Sequence, residues 1–167
     1  MTPSQRYQVD LGRQGFHHDV AQQQAVAMLQ SLYHGLLAPA PALPLWKRLI
    51  GQRATPVKGL YLWGGPGRGK TYLMDCFYEC LPFREKRRVH FHRFMLEIHE
   101  ALDALPRTPD PLLVVADQLA DACRVLCLDE FHVTDIADAM LLAGLLEALF
   151  ARQLTLVATS NIAPRAL

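Results

Sequence analysis

The sequence has almost no excess of charge of either sign. Its 17 Lys and Arg residues nearly balance 16 Asp and Glu residues in a chain of 167. Partners such as nucleic acid or anionic lipid are usually met by a strongly basic surface, so the balance disfavours both without excluding them. The basic segment 82–88 is typical of a solvated turn. We therefore expect no nucleic-acid partner.

Long hydrophobic runs are also missing. The longest apolar stretch, 136–150, is interrupted by Asp138 and Glu147 and is too short to span a bilayer. The first ten residues lack both the apolar core of a secretory signal and the Arg- and Ser-rich character of a mitochondrial presequence. We expect a cytoplasmic protein.

Cysteine is scarce, with two pairs at positions 76/80 and 123/127. If the second pair lay on one strand, its Cα atoms would be about 13 Å apart, beyond the reach of a disulfide or a shared metal. We expect four reduced, mostly buried thiols and no structural zinc.

The segment 57–71, VKGLYLWGGPGRGKT, carries the most informative motif. A short apolar strand ends at Gly64, and a helix-forming run follows Thr71. Glycines between them let backbone N–H groups turn inward as a nest for phosphate oxygens at the N-terminus of the helix. The predicted nucleotide-binding residues are Gly64, Gly65, Pro66, Gly67, Arg68, Gly69, Lys70 and Thr71.

The ligand that fits this motif is ATP with Mg²⁺. Lys70 is expected to contact the β- and γ-phosphates, and the Thr71 hydroxyl is expected to be one ligand of the Mg²⁺ ion. The alternative is a glycine-rich turn that binds nothing. The strand before the loop and the helix after it favour the phosphate site.

A second informative stretch, 123–130, is an apolar strand that ends in Asp129 and Glu130. Ligands of parallel α/β sheets bind at the C-terminal ends of the strands. We expect Asp129 to hold Mg²⁺ through a water molecule, with Thr71 as a further ligand, and Glu130 to orient and deprotonate the attacking water.

A third informative stretch, 154–160, is predicted to be a strand that leads to Asn161. Its carboxamide is expected to hydrogen-bond the γ-phosphate or the attacking water, which makes Lys70, Glu130 and Asn161 the predicted catalytic residues. An ordinary Ser-Asn turn is the alternative for this position.

The order of these segments predicts an α/β fold. Strands near 57–63, 88–92, 123–129 and 154–160 alternate with helical patterns, which indicates a three-layer parallel sheet with helices on both faces. His90 and His92 would share one face of the second strand, where structural roles are favoured over a metal site. Either Thr134 or Asp135 is expected to cap the helix that runs from 136 to 152.

We divide the chain into an N-terminal helical lead-in, 1–56, and a core, 57–167. Residues 7–16 read as irregular. Asp19 is a plausible cap for an amphipathic helix over 19–37, and a short helix is expected at 45–50. The 19–37 helix either packs on the sheet, which its pattern favours, or forms a lid over the adenine side of the site.

The chain resembles an AAA+ ATPase of the ASCE type. The resemblance lies in the phosphate loop, the acidic pair and the polar strand tip, which follow in this order on successive strands. The likeness is closer to the ZapE cell-division ATPases of bacteria and their mitochondrial relatives. It rests on residues 59–75, 90–95, 126–140 and 156–164, and on the N-terminal pairs and runs at 7–8 and 19–22.

The resemblance implies that Lys70 and Thr71 belong to a Walker A motif, that Asp129 and Glu130 form Walker B, and that Asn161 is the sensor-1 residue. It also implies action on FtsZ polymers at the division ring, homo-oligomerisation, and a location near the inner membrane with peripheral membrane association. The lack of a presequence favours the bacterial branch.

Members of that family continue beyond the position equivalent to Leu167, through a last strand, an arginine finger and a helical domain. The resemblance therefore implies a C-terminally incomplete core, either from a shortened gene or a cloned fragment. An arginine finger contributes about 10³–10⁵ in rate, so we expect weak nucleotide binding and little hydrolysis from this chain alone.

Other functions remain open from the sequence. A small-molecule phosphotransferase should have an Arg-rich lid where this chain has an apolar helix, and a GTPase should have an N-K-x-D motif, which is absent. A nucleotide-binding module without turnover, or a chaperone-like AAA+ ATPase in protein quality control, fits the same motifs.

Overall fold

Four parallel strands form one sheet in the order β1-β4-β3-β2. The structure is a computed structural model that describes residues 1–12, 19–39, 57–105 and 107–164. The strands are β1 (Leu60–Trp63), β2 (Lys86–His90), β3 (Val125–Asp129) and β4 (Thr155–Ser160). The central strands β3 and β4 are almost fully buried because helices cover both faces of the sheet.

The helices divide between the two faces. On one face lie α1 (Pro3–Leu11), α2 (Val20–Leu37) and α3 (Lys70–Cys80), which pack on alternate strand residues such as Cys127 and Val157. On the other face lie α4 (Phe91–Asp103), α5 (Pro111–Ala122) and α6 (Ile136–Ala151), packed on residues such as Leu126 and Leu128. This alternation follows from the two-residue period of a strand. The predicted three-layer α/β fold is confirmed.

The helix predicted over 19–37 is present, and Asp19 caps it by accepting a hydrogen bond from the Ala21 amide. It packs against the sheet and α3, as its pattern favours. Asp135 caps α6, accepting from the amides of Ala137 and Asp138, which settles the choice between it and Thr134. The helix predicted at 45–50 lies outside the described residues, as do 13–16 of the segment predicted to be irregular.

Two local predictions are wrong. Residues 7–11 are not irregular but belong to α1, because Thr2 and Gln5 form a capping box and Pro3 fits the first turn. The second strand ends at His90 rather than 92, and α4 begins at the next residue. The helical spacing of buried Phe91, Phe94 and Met95 decides this boundary. His90 and His92 therefore do not share a strand face.

The cysteines are unpaired thiols. Cys123 ends α5 instead of starting β3, so the pair 123/127 does not lie on one strand. Burial raises the pKa of Cys76 to about 12, and that of Cys127 to about 12. Among the described residues, no helix is long and apolar enough to cross a bilayer.

Candidate active site

A cavity of about 430 Å³ opens at the C-terminal ends of β1, β3 and β4. It brings together the loop after β1, the acidic pair after β3 and the tip of β4, as expected for parallel strands. The lining residues are Pro66, Gly67, Arg68, Gly69, Lys70, Thr71, Asp129, Glu130, Thr159, Ser160 and Asn161. Of the predicted site residues, only Gly64 and Gly65 do not line it.

The phosphate loop, residues 64–71, is shaped mainly by its own backbone. Gly67 and Gly69 both have a φ of +74°, a left-handed conformation that side chains rarely adopt. Gly69 is also the residue that precedes α3, so the loop delivers the positive end of that helix to the cavity.

The Lys70 side chain links the end of the loop to its beginning. Its Nζ donates to the carbonyl oxygens of Gly64 and Gly65, each at 2.7 Å. Burial and then the neighbouring Arg68 guanidinium lower the pKa of Lys70, while Asp129 opposes the shift. An anionic oxygen in the cavity would relieve this electrostatic penalty, since it is a stronger partner for an ammonium than a neutral carbonyl.

Asp129 is the buried centre of the acidic half, with 2% of its surface exposed. Its Oδ1 accepts a hydrogen bond from the Thr159 hydroxyl and lies 3.4 Å from the Thr71 hydroxyl. Its Oδ2 accepts from Arg88 Nη2 at 3.0 Å. A buried carboxylate needs this kind of compensation, because desolvation without partners is costly.

Arg88 joins Asp129 to the helix that follows the loop. Its second terminal nitrogen, Nη1, forms an ion pair with Asp75 of α3. Burial raises the pKa of Asp75, and the Arg88 guanidinium opposes that shift. Arg88 therefore joins β2, β3 and α3 beside Asp129.

Glu130 lies directly beyond β3 with its side chain exposed. It has a φ of +56°, and its N–H donates to the Thr159 hydroxyl at 3.1 Å. The next amide, that of Phe131, donates to the Thr159 carbonyl at 2.7 Å. Thr159 thus fixes the sharp turn that separates a buried Asp129 from an exposed Glu130.

Asn161 is exposed at the tip of β4, beside the same cavity. Hydrogen bonds from neighbouring residues fix the turn that contains it. The Ser160 hydroxyl donates to the Phe131 carbonyl at 2.6 Å and accepts from the Ile162 amide at 3.0 Å. Tyr61 of β1 donates to the Ile162 carbonyl at 2.9 Å. Asn161 therefore sits on a structured turn rather than a loose one.

The oxygen donors present fit Mg²⁺ as a pair of ligands rather than as a complete protein ligand set. Within 1–12, 19–39, 57–105 and 107–164, no group of three or more His, Cys, Asp and Glu side chains could hold a metal ion. The Thr71 hydroxyl and the Asp129 carboxylate lie side by side and face the cavity. Such a pair suits Mg²⁺, which takes few protein ligands and completes its octahedron with phosphate oxygens and water.

Sequence reasoning missed Arg88, Thr159 and Asp75. Arg88 belongs to a basic segment interpreted as a solvated turn, yet its side chain is only 29% exposed. Thr159 is part of the polar end predicted for the last strand, which is the one signal that pointed to it. No local pattern marks Asp75 of α3, because its partner Arg88 comes from β2.

Comparisons with known proteins match these features. The family model described as "AFG1-like ATPase" matches residues 1–167. The cell division protein ZapE of Escherichia coli K12 is 49% identical over 175 aligned residues, which cover 98% of this chain and 47% of ZapE. The chain thus spans about half the length of that curated relative.

Solved structures of lower identity share the fold. AMPPCP-bound DnaA from Aquifex aeolicus superposes with a TM-score of 0.60 at 14% identity, covering 90% of this chain and 41% of DnaA. The DnaC helicase loader superposes with a TM-score of 0.58 at 16% identity, covering 90% of this chain and 76% of DnaC. Both likenesses establish a P-loop NTPase fold.

Proposed function

Because this chain belongs to the AFG1-like ATPase family, we propose that it is the nucleotide-binding part of an enzyme that hydrolyses ATP. The observation that carries the proposal is the single cavity shared by the phosphate loop, Asp129, Glu130 and Asn161. Glu130, Asn161 and the loop residues 66–71 all line that cavity.

The triphosphate is held by the loop. Backbone N–H groups between Gly67 and Thr71 donate to phosphate oxygens, and the Lys70 ammonium moves from the loop carbonyls to the β- and γ-phosphates. The Thr71 hydroxyl and Asp129 would hold Mg²⁺, which neutralises phosphate charge when it is bound.

Hydrolysis needs a base at the γ-phosphate. A water oxygen attacks the γ-phosphorus, the bond from that phosphorus to the β–γ bridging oxygen breaks, and the proton of the water passes to the Glu130 carboxylate. Asn161 orients the water through its carboxamide. Lys70 balances the charge that develops on the leaving ADP.

The proposed biological role rests on similarity to ZapE. Because this chain spans about half the length of that relative, the role is proposed for a longer protein that contains this chain. We propose that the longer protein acts in cell division, since its relative ZapE is named for that process. FtsZ is the proposed protein substrate, a homo-oligomer the proposed assembly, and the cytoplasm at the division site, next to the inner membrane, the proposed location. For the chain alone we propose nucleotide binding with slow hydrolysis.

The test compares nucleotide affinity with turnover, both in this chain and in a longer version that continues past Leu167. Lys70→Ala should weaken MgATP binding by about 10- to 100-fold, because it removes a charged hydrogen-bond donor. Glu130→Gln should retain affinity and lower phosphate release by about 10²–10⁴ in the longer protein. Unchanged turnover in both variants of the longer protein would contradict the proposal.

The same measurement decides the alternative of a binding module. If the longer protein binds MgATP with an affinity that depends on Lys70 but releases no phosphate, the nucleotide acts as a ligand rather than a substrate. Calorimetry and a phosphate-release assay on the same preparation separate the two outcomes.

A further inference from the structure

The first turn of α2 touches the outer side of the phosphate loop. The Gln22 amide nitrogen Nε2 donates to the carbonyl oxygen of Arg68 at 3.1 Å. A Cβ added to Gly69 would lie 2.8 Å from the same nitrogen. The Gln22 side chain therefore lies directly against the peptide that joins Arg68 to Gly69.

The direction of that peptide determines what the loop can bind. In a trans peptide the C=O and the N–H point in opposite directions, and the described residues contain no cis peptide. Since the Arg68 carbonyl faces Gln22, the Gly69 N–H points away from Gln22. The cavity is lined by both Arg68 and Gly69.

We infer that Gln22 is a positioning residue of the phosphate loop, which holds the Arg68–Gly69 peptide with its N–H turned toward a bound phosphate oxygen. This inference rests on the proposed nucleotide site and assigns a new role within it. This role requires no direct contact between Gln22 and the nucleotide.

Although Lys70 bonds to the carbonyls of Gly64 and Gly65, the described residues leave the loop open around Gly65 and Gly67. A Cβ added to Gly65 or to Gly67 would meet nothing within 4 Å. Glycine peptides that are not packed can rotate at little cost, since both signs of φ are open to them. A hydrogen bond from a rigid helix removes that freedom for the Arg68–Gly69 peptide.

The amide of Gln22 is itself oriented from behind. Tyr7 of α1, 1% exposed, donates its hydroxyl to Gln22 Oε1 at 3.4 Å, which leaves Nε2 facing the loop. Tyr72 of α3 donates to Asp10 of α1 at 2.7 Å. Helix α1 thus contacts both Gln22 and the helix that begins at the phosphate loop.

The experiment uses Gln22→Met, which keeps the length of the side chain and removes its donor. The matched control is Gln24→Met, an exposed position on the same turn of α2. MgADP is titrated into the 167-residue chain by calorimetry. Gln22→Met should weaken binding about five- to tenfold, as expected for one lost hydrogen bond, and Gln24→Met should stay within about twofold of wild type.

A spectroscopic signature separates positioning from general loosening. In the wild type, the Gly69 amide resonance should shift downfield when MgADP binds, and this shift should shrink in Gln22→Met while urea midpoints of the two chains agree. Equal affinity and an equal Gly69 shift in both chains would overturn the inference and leave the nucleotide site standing. A wild-type chain that binds no MgADP would overturn the proposed function as well.

Discussion

The two halves of the candidate site are built in different ways. The phosphate loop is shaped by glycine conformations and by Lys70, which bonds to carbonyls five and six residues before it. The acidic half depends on side chains from three other elements, because Asp129 of β3 meets Thr71 of α3, Arg88 of β2 and Thr159 of β4.

Function and stability are therefore coupled differently in the two halves. The loop is largely open to solvent, so a change in it should alter nucleotide affinity more than the free energy of unfolding. Asp129 is buried at the end of the central strand β3, which pairs with β2 and β4, so a change in its partners should reach the stability of the whole sheet.

Thr159→Val should have the largest effect. The variant removes the donor to Asp129 Oδ1 and the acceptor of the Glu130 amide, both next to a buried carboxylate. We expect the free energy of unfolding to fall by about 3 kcal/mol, measured by urea denaturation.

Thr155→Val is the matched control on the same strand. Its hydroxyl is equally buried but donates to a single neutral acceptor, the Val57 carbonyl at 3.1 Å. The loss there should be about 1 kcal/mol. Equal losses in the two variants would show that Asp129 does not depend on Thr159.

Arg88→Met should cause the next largest loss of unfolding free energy, because it leaves Asp129 and Asp75 without their shared guanidinium. We expect a loss of about 2 kcal/mol at pH 7, less than for a fully buried pair because Arg88 is partly exposed. Arg87→Met, whose pair with Glu97 is about one-third exposed, is the control and should lose less than 1 kcal/mol.

The loss in Arg88→Met should depend on pH. Burial already holds the pKa of Asp75 above its usual 3.8, and removing Arg88 takes away the main opposing influence. A carboxyl whose pKa is higher in the folded state destabilises the fold as pH rises through that pKa. The difference from wild type should therefore be smaller near pH 4 than at pH 7, and a loss independent of pH would contradict the ion-pair explanation.

The same contrast explains what sequence could predict. The phosphate loop is a local motif in which glycine spacing, the preceding strand and the following helix all lie within 57–71. The strand that presents Asp129 and the cap at Asp19 are local as well. These features can be predicted from the sequence because each depends on residues close together in the chain.

The partners of Asp129 cannot be predicted from the sequence in that way. Arg88 reaches it because β2 pairs with β3 in a register that places Arg88 beside Cys127, and no residue near Arg88 in sequence encodes that register. Thr159 depends on the pairing of β3 with β4 in the same manner. Helix α1 was missed for another reason, since its capping box is local but its residues show too little apolar periodicity.

Gly69→Ala tests the loop half. Alanine at a φ of +74° is strained, and its Cβ would displace Gln22 from the Arg68 carbonyl. We expect MgADP affinity to fall about tenfold, with a loss of unfolding free energy of only about 1 kcal/mol. Gly12→Ala is the control, because Gly12 lies outside the loop at a φ of −74° and an added Cβ would come no nearer than 3.4 Å to the Val9 carbonyl oxygen; it should change neither quantity strongly. A large loss of stability in Gly69→Ala would contradict the separation of the two halves.

Asp135→Ala should have the smallest effect on stability and no effect on nucleotide affinity. It tests whether the acidic half of the site extends as far as the cap of α6. Asp135 caps α6 five residues beyond Glu130, accepting from the Ala137 amide at 2.7 Å and the Asp138 amide at 3.2 Å. Loss of an N-cap typically costs about 1 kcal/mol of stability, whereas Thr134→Ala should cost less than about 0.5 kcal/mol because Thr134 is not the cap. Neither variant should alter MgADP affinity in calorimetry, since α6 packs on the face of the sheet opposite to α3. An affinity loss in Asp135→Ala alone would extend the acidic half into the cap of α6 and would mean that the site depends on that helix as well.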